Sequence, residues 1–222
     1  MAGRMKTVAV LSQKGGSGKT TLVLNLAVAA VRRGFEVLVA DLDPQASASM
    51  WGEARKAEAP LVVPTHPPAL PKLQAEAREQ GADLLVIDTA PHSDAPAIAA
   101  AELADLVLVT CRPSVMDLRA IQNTIRLTRL AEVRPHAVLT QTDPFGSLNE
   151  EARRTLIELG VDVLQTSMGR RVAYHHGLID GRTALEFEPD GKAAAEVREL
   201  FEQISHLAGL PSRWQRKVVS SS

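Results

Sequence analysis

The chain is 222 residues long, 45% apolar and 23% charged, which provides for a sizeable core and excludes a disordered chain. Its 25 Lys plus Arg against 26 Asp plus Glu give a formal net charge of −1, so bulk charge does not coat nucleic acid and any such contact needs a local patch. Aromatic residues at 3% argue against base-stacking platforms, and the single Cys111 excludes an internal disulfide or a cysteine cage for zinc or an iron–sulfur cluster.

In chain order, Met1 to Lys6 is short and polar and does not read as a secretory leader. Val8-Ala9-Val10-Leu11 is an apolar run followed by a Gly-rich loop, and a helix is expected from Lys19 to Arg33, closed by Gly34. The longest apolar stretch, Leu22 to Val31, contains Asn25 and is shorter than the roughly 20 residues a membrane span needs. A cytoplasmic protein is therefore expected. Val37–Ala40, Leu84–Ile87 and Leu106–Val109 are apolar without alternation, as strands buried on both faces of a parallel sheet are. Ala137–Leu139 and Val161–Leu164 are weaker strands of the same kind.

Helices are expected at about Ala46–Ala57, Leu70–Gln80, Asp94–Ala104, Val115–Leu130 and Leu148–Leu159, with a last one carrying Val197, Leu200, Phe201, Ile204 and Leu207 on one face. The Pro-rich stretch Pro60 to Pro71 reads as a surface excursion. Strand–helix alternation predicts a doubly wound α/β fold, a mostly parallel sheet with helices on both faces, as one domain over residues 1–210 followed by a flexible basic tail, 211–222.

The loop between the first strand and the first helix reads Gln13-Lys14-Gly15-Gly16-Ser17-Gly18-Lys19-Thr20-Thr21. Its glycines let the backbone fold tightly and turn N–H groups towards an anion, beside the positive end of the following helix. Lys19 can reach the β- and γ-phosphates of a nucleotide, and the Thr20 hydroxyl can ligate Mg²⁺. The standard phosphate-loop pattern would put glycine at position 13, where this chain has Gln13, and the chain adds a second lysine, Lys14. Leu84–Ile87 runs into Asp88-Thr89-Ala90-Pro91, a Walker B strand whose Asp88 holds Mg²⁺ through water.

The loop resembles the deviant Walker A motif, KGGxGKTT, of ParA/MinD-type ATPases, and the resemblance runs from Thr7 to about Leu207. It implies a P-loop ATPase using ATP and Mg²⁺, in which Lys14 crosses an ATP-sandwich homodimer to the partner's phosphates and acts as an arginine finger does. Asp41-Leu42-Asp43-Pro44-Gln45 is similar to the family's DxDPQ element; Asp43 would position the attacking water and Asp41 support the metal shell. Pro91 would begin a second switch, in which His92 reads as a surface histidine. Val107 to Ala120 resembles the segment beside the dimer interface, with Cys111 as a packing residue. By the same resemblance the loop at Gln141-Thr142-Asp143 and the loop at Pro189 approach the adenine. In the ParA branch the ATP-bound dimer binds DNA without sequence specificity through C-terminal basic residues, for which Arg170, Arg171, Arg213, Arg216 and Lys217 are the candidates here. His175 and His176 are adjacent and do not share a helix face, so they are ordinary histidines rather than metal ligands.

The expectation is a short ParA-like ATPase without an N-terminal helix-turn-helix, nucleoid-associated when ATP-bound. It would position a plasmid, a chromosome region or a large protein assembly, and a ParB-like or other cargo adaptor would stimulate its slow hydrolysis. The alternatives are a MinD-like membrane-associated ATPase, disfavoured because the apolar stripe of the last helix suits a core, and a metabolic P-loop synthase.

Overall fold

In the computed structural model, residues 5–145 and 147–211 are described; Arg213, Arg216 and Lys217 lie outside them. The strands are β1 (Lys6–Leu11), β2 (Val37–Asp41), β3 (Leu61–Pro64), β4 (Leu84–Asp88), β5 (Leu106–Cys111), β6 (Pro135–Thr142), β7 (Asp162–Val163) and β8 (Met168–Gly169). The helices are α1 (Lys19–Arg32), α2 (Ser47–Ala54), α3 (Leu70–Glu79), α4 (Asp94–Leu103), α5 (Val115–Leu130), α6 (Leu148–Glu158), α7 (Ala173–Ile179), α8 (Ala184–Phe187) and α9 (Lys192–Ala208). The strand order is β3-β2-β4-β1-β5-β6-β7, with β8 pairing the end of β6, and every pairing is parallel.

The unalternating apolar runs have the expected consequence. Val8 and Val10 of β1 join one core with α1, α2, α7, α8 and α9, while Ala9 and Leu11 join a second core with α3, α4, α5 and α6 on the opposite face. Each strand residue therefore loses water on whichever side it faces, as a doubly covered parallel sheet requires.

Two expectations change. The stretch Pro60–Pro71 is not only a surface excursion: Leu61–Pro64 forms the edge strand β3, in register with Leu38–Asp41. Prolines are admitted there because an edge strand leaves some N–H groups outside the ladder. The helix expected over Ala46–Ala57 ends at Ala54, since Arg55 adopts an extended backbone.

The register aligns the C-terminal ends of the inner strands. Val10 of β1 and Asp41 of β2 both stand opposite Asp88 of β4. The loops leaving these strands thus open on one edge of the sheet, where parallel α/β folds hold their ligands.

Candidate functional site

The Gly-rich loop leaves β1 at Leu11 and enters α1 through Gly18, whose φ of 86° is left-handed, as is that of Gly16 at 69°. A side chain at either position would be strained, which explains the glycines. No side chain caps α1, so its first N–H groups remain available to an anion. Neighbouring strand ends pin the loop. Thr140 Oγ1 donates to the Ser17 carbonyl at 2.7 Å, Gln141 Nε2 donates to the Gly16 carbonyl at 2.8 Å, and the Ser17 and Thr110 hydroxyls lie 2.9 Å apart. Gln13, in the place of a glycine, donates its N–H to Thr124 Oγ1 at 3.2 Å and its amide to the Ser93 carbonyl at 3.4 Å, tying the loop to α5 and to the segment after β4.

A cleft of about 210 Å³ opens over the loop, lined by residues Gly15 to Thr21 with Asp43, Ser47 and Pro91. Lys19 is buried in it; burial lowers its pKa, against the opposing pull of Asp88 and Asp43. Both oxygens of Asp88 are buried without a hydrogen-bond partner. Burial pushes the Asp88 carboxyl up to about 7; Thr20 and Lys19 pull it down, and Asp41 and Asp43 add to the rise. An orphaned buried carboxylate beside a threonine hydroxyl and a cleft fits a hydrated divalent cation. Among the described residues no cluster of three or more His, Cys, Asp or Glu could cage a metal, so an ion at Thr20 and Asp88 would need further oxygens from outside the protein.

The two aspartates at the end of β2, Asp41 in the strand and Asp43 just past it, are held differently. Asp41 Oδ2 accepts from Ser49 N at 2.9 Å and Ser49 Oγ at 2.8 Å, while its Oδ1 accepts from Asp43 N at 3.1 Å. Its oxygens thus hold α2 and the turn to Asp43, and neither is left without a protein hydrogen bond. Asp43 is partly exposed and lines both the phosphate cleft and a larger cavity of about 550 Å³ between residues 41–46, the corner at Pro64–Pro67, and Ala90, Pro91 and Ser93. His92 is exposed with a φ of 54°.

Lys14 does not line its own cleft. Its Nζ sits 2.7 Å from Asp117 Oδ2 at the start of α5. Arg112 Nε holds the other oxygen at 2.9 Å, and Ser114 Oγ donates to the same carboxylate. Burial pushes Asp117 upward, but these hydrogen bonds outweigh it and keep the carboxyl below its ordinary value. Val115 and Met116, in the same turn, are about two-thirds exposed, at 66% and 65%. Asp117 was not among the sequence candidates, although Ser114-x-x-Asp117 is a helix-start signature, and the Ser114 side chain does accept from Asp117 N. Cys111 is buried and its thiol pushed up to about 12, consistent with packing.

Beside Gly18 and Thr21 a narrow pocket is lined by Thr140, Gln141, Met168 to Arg171, Tyr174 and His175. Asp143 reaches its rim through Arg170, 3.8 Å away. Pro189 is not part of the lining; its carbonyl accepts from Arg198 at 2.6 Å. Arg170 and Arg171 do not form one basic patch. Arg171 is paired with Glu196 through Nε at 2.8 Å and Nη2 at 2.5 Å, and Glu196 also accepts from Tyr174 OH at 2.9 Å. The Glu196 hydrogen bond raises the Arg171 pKa, and adjacent sequence position gave no sign of this pairing. His175 and His176 are both exposed.

Residues 8–184 match the CobQ/CobB/MinD/ParA nucleotide binding domain. The chain is 35% identical over 205 residues to "Maintenance of carboxysome distribution protein A" of Gloeobacter kilaueensis, covering 90% of this chain and 92% of that protein. It is 27% identical to "Chromosome-partitioning ATPase Soj" of Thermus thermophilus, covering 90% and 96%. Its fold is similar to that of a Cyanothece McdA–ATP complex, with a TM-score of 0.74 at 17% identity over 96% of this chain and 99% of that one. No helix among the described residues is long and apolar enough to cross a membrane.

Proposed function

The chain belongs to the CobQ/CobB/MinD/ParA nucleotide-binding family, and from that premise we propose that it is an ATP-dependent dimerising ATPase that binds DNA without sequence specificity and positions a cargo. The observation carrying this reading is Lys14. Its ammonium is held outside its own cleft by Asp117, next to the exposed Val115 and Met116, where a second copy of the chain could receive it.

In this reading the loop N–H groups of residues 15–21 and Lys19 bind the β- and γ-phosphates. Thr20 and Asp88 would hold Mg²⁺, which would supply positive charge against the phosphates; Asp41 would support that site indirectly, through the turn to Asp43. Asp43, the partly exposed carboxylate at the cleft, orients the attacking water. Lys14 leaves Asp117 when two subunits close on ATP and stabilises the transferring phosphoryl group of the partner. Thr140, Gln141 and Tyr174 line the base pocket, with Asp143 at its rim through Arg170.

DNA contact is assigned to Arg170 and to Arg213, Arg216 and Lys217; Arg171 is reassigned to fold support through Glu196. A ParB-like or other cargo adaptor stimulates hydrolysis and releases the dimer from the nucleoid. The Gloeobacter relative, named for carboxysome distribution, favours a large protein assembly as cargo. Val197, Leu200, Phe201 and Ile204 are 4% exposed or less, so all of the apolar stripe of α9 except Leu207, which is 43% exposed, lies in the core; this weighs against a membrane-binding role for that helix. One feature favours a second reading, a small-molecule synthase: the cavity of about 550 Å³ beside Asp43 has the size of a metabolite site.

The deciding experiment is binding of the Asp43→Ala protein to random-sequence duplex DNA with ATP or ADP across a salt series. Salt-sensitive binding with ATP alone supports the positioning reading. Absence of binding in both states counts against it and brings the synthase reading forward.

A further inference from the structure

α2, which follows the Asp43 turn, buries only Ala48 and Trp51. Apolar packing of two side chains holds a two-turn helix weakly, so polar ties must set its place. Near its start, Ser49 donates twice to Asp41, and Asp41 in turn accepts the Asp43 N–H. Just past its end stands Arg55, whose side chain is 5% exposed. Its guanidinium forks onto Glu186 at 2.9 and 2.8 Å and donates to the Gly181 carbonyl at 2.7 Å and the Ala59 carbonyl at 2.8 Å. It also lies 4.9 Å from the centre of the Trp51 ring, whose Nε1 donates to the Arg182 carbonyl at 3.0 Å. The approach is so close that a Cβ at Gly181 would fall 2.3 Å from the Arg55 Cα.

The same contacts continue towards the phosphate loop. Glu186 accepts from Thr183 N at 2.9 Å, closing the capping box of α8. The next N–H, that of Ala184, donates to Asn25 Oδ1 at 3.1 Å, and Asn25 Nδ2 donates to the Thr21 carbonyl at 2.8 Å in the first turn of α1. Asn25 is 1% exposed. Hydrogen bonds through the short segments α8 and α2 therefore lead from the phosphate-loop helix to the backbone of Asp43, on a path separate from the cleft itself.

We propose that Asn25, Arg55 and Glu186 are positioning residues for hydrolysis: through them the α1 end of the phosphate loop sets the place of α2 and hence the aim of Asp43. None of the three lines the nucleotide cleft. The inference rests on the assignment of Asp43 to water orientation. Every member of the chain is paired, so removing one partner leaves another buried group unsatisfied, and a displacement of about 1 Å at a reacting group can cost about 100-fold in rate.

Trp51 supplies a direct readout. With Trp214→Phe as background it is the sole tryptophan of the chain. Its emission on adding Mg²⁺ and ATP, the affinity for a fluorescent ATP analogue, and kcat are compared in this background, in Asn25→Leu, in Glu186→Gln and in the neutral pair Arg55→Met/Glu186→Met, each below its own melting transition. The expected result is a Trp51 response in the background protein that is lost in the variants, with kcat lower by about tenfold or more and nucleotide affinity within about twofold. Asn25→Leu combined with Arg55→Met should cost no more in kcat than either alone, the behaviour of residues acting as a unit. Variants that are destabilised but keep both kcat and the Trp51 response, or costs in kcat that simply add, overturn the proposal and leave the network a fold support. The Trp51 response requires no turnover. A background protein that binds ATP and shows the response yet converts none of the bound ATP to ADP over many hours therefore overturns the hydrolysis reading on its own account, since slow unstimulated turnover would still yield ADP.

Discussion

Replacing Asp88 by Asn should stabilise the protein in the absence of metal. The carboxyl is buried with both oxygens unpartnered, and its pKa rises from 3.8 to about 7. The difference of about 3 units corresponds to roughly 4 kcal/mol at about 1.4 kcal/mol per unit. Because the folded-state value is the raised one, the stability is fully present below the unfolded value near 3.8, falls progressively as pH climbs from there, and is fully lost above about 7. An asparagine has nearly the same shape and no ionisation, so it removes this loss while retaining the buried polar group. Melting in chelator-containing buffer from pH 4.5 to 8.5 tests this. The variant should exceed wild type by only about 1 kcal/mol at pH 4.5 and by up to about 4 kcal/mol at pH 8, several degrees to about 15 °C for a chain of this size. Adding Mg²⁺ and ADP should reverse the order, since only wild type gains the ion. A variant that melts at or below wild type at pH 8 without metal, with the same pH slope, would refute the view that Asp88 is a buried carboxylate which Thr20 and Lys19 compensate only in part.

Lys19→Ala should abolish nucleotide binding by calorimetry; unchanged affinity would remove the phosphate-loop assignment. Lys14→Ala should bind nucleotide as a monomer yet form no ATP-dependent dimer by light scattering, while a normal dimer would assign Lys14 to surface solvation. Arg171→Ala should lower stability by about 1–3 kcal/mol in urea because the largely buried Glu196 carboxylate loses its paired guanidinium. Arg170→Glu should leave stability within about 0.5 kcal/mol and weaken DNA binding; equal stability losses in the two variants would contradict the division of roles drawn here. Gly181→Ala should cost at least about 2 kcal/mol, since it combines a φ of 75° with a Cβ 2.3 Å from Arg55, and an unchanged melting curve would mean that the two segments separate at little cost.

The sequence by itself determined the parallel sheet, the phosphate loop and the ends of β2 and β4. These are legible because each depends on a local physical rule. Unalternating apolar runs such as Leu84–Ile87 suit only a strand covered on both faces, and a Gly-Lys-Thr ending after such a run places N–H groups and a cation at one helix start. Tertiary structure alone decided which of the polar residues face the site. Asp41 and Asp43 stand two positions apart in one motif, yet Ser49 on α2 takes up the first and leaves the second at the cleft. Arg170 and Arg171 are neighbours, yet Glu196 on α9 neutralises only one of them. Lys14 rests on Asp117 and Arg55 on Glu186, partners more than 100 positions away, at 103 and 131 residues. Local propensity carries no record of such pairings. A charged side chain's function depends on which distant carboxylate or carbonyl reaches it first, and the packing of helices on the two faces of the sheet settles that.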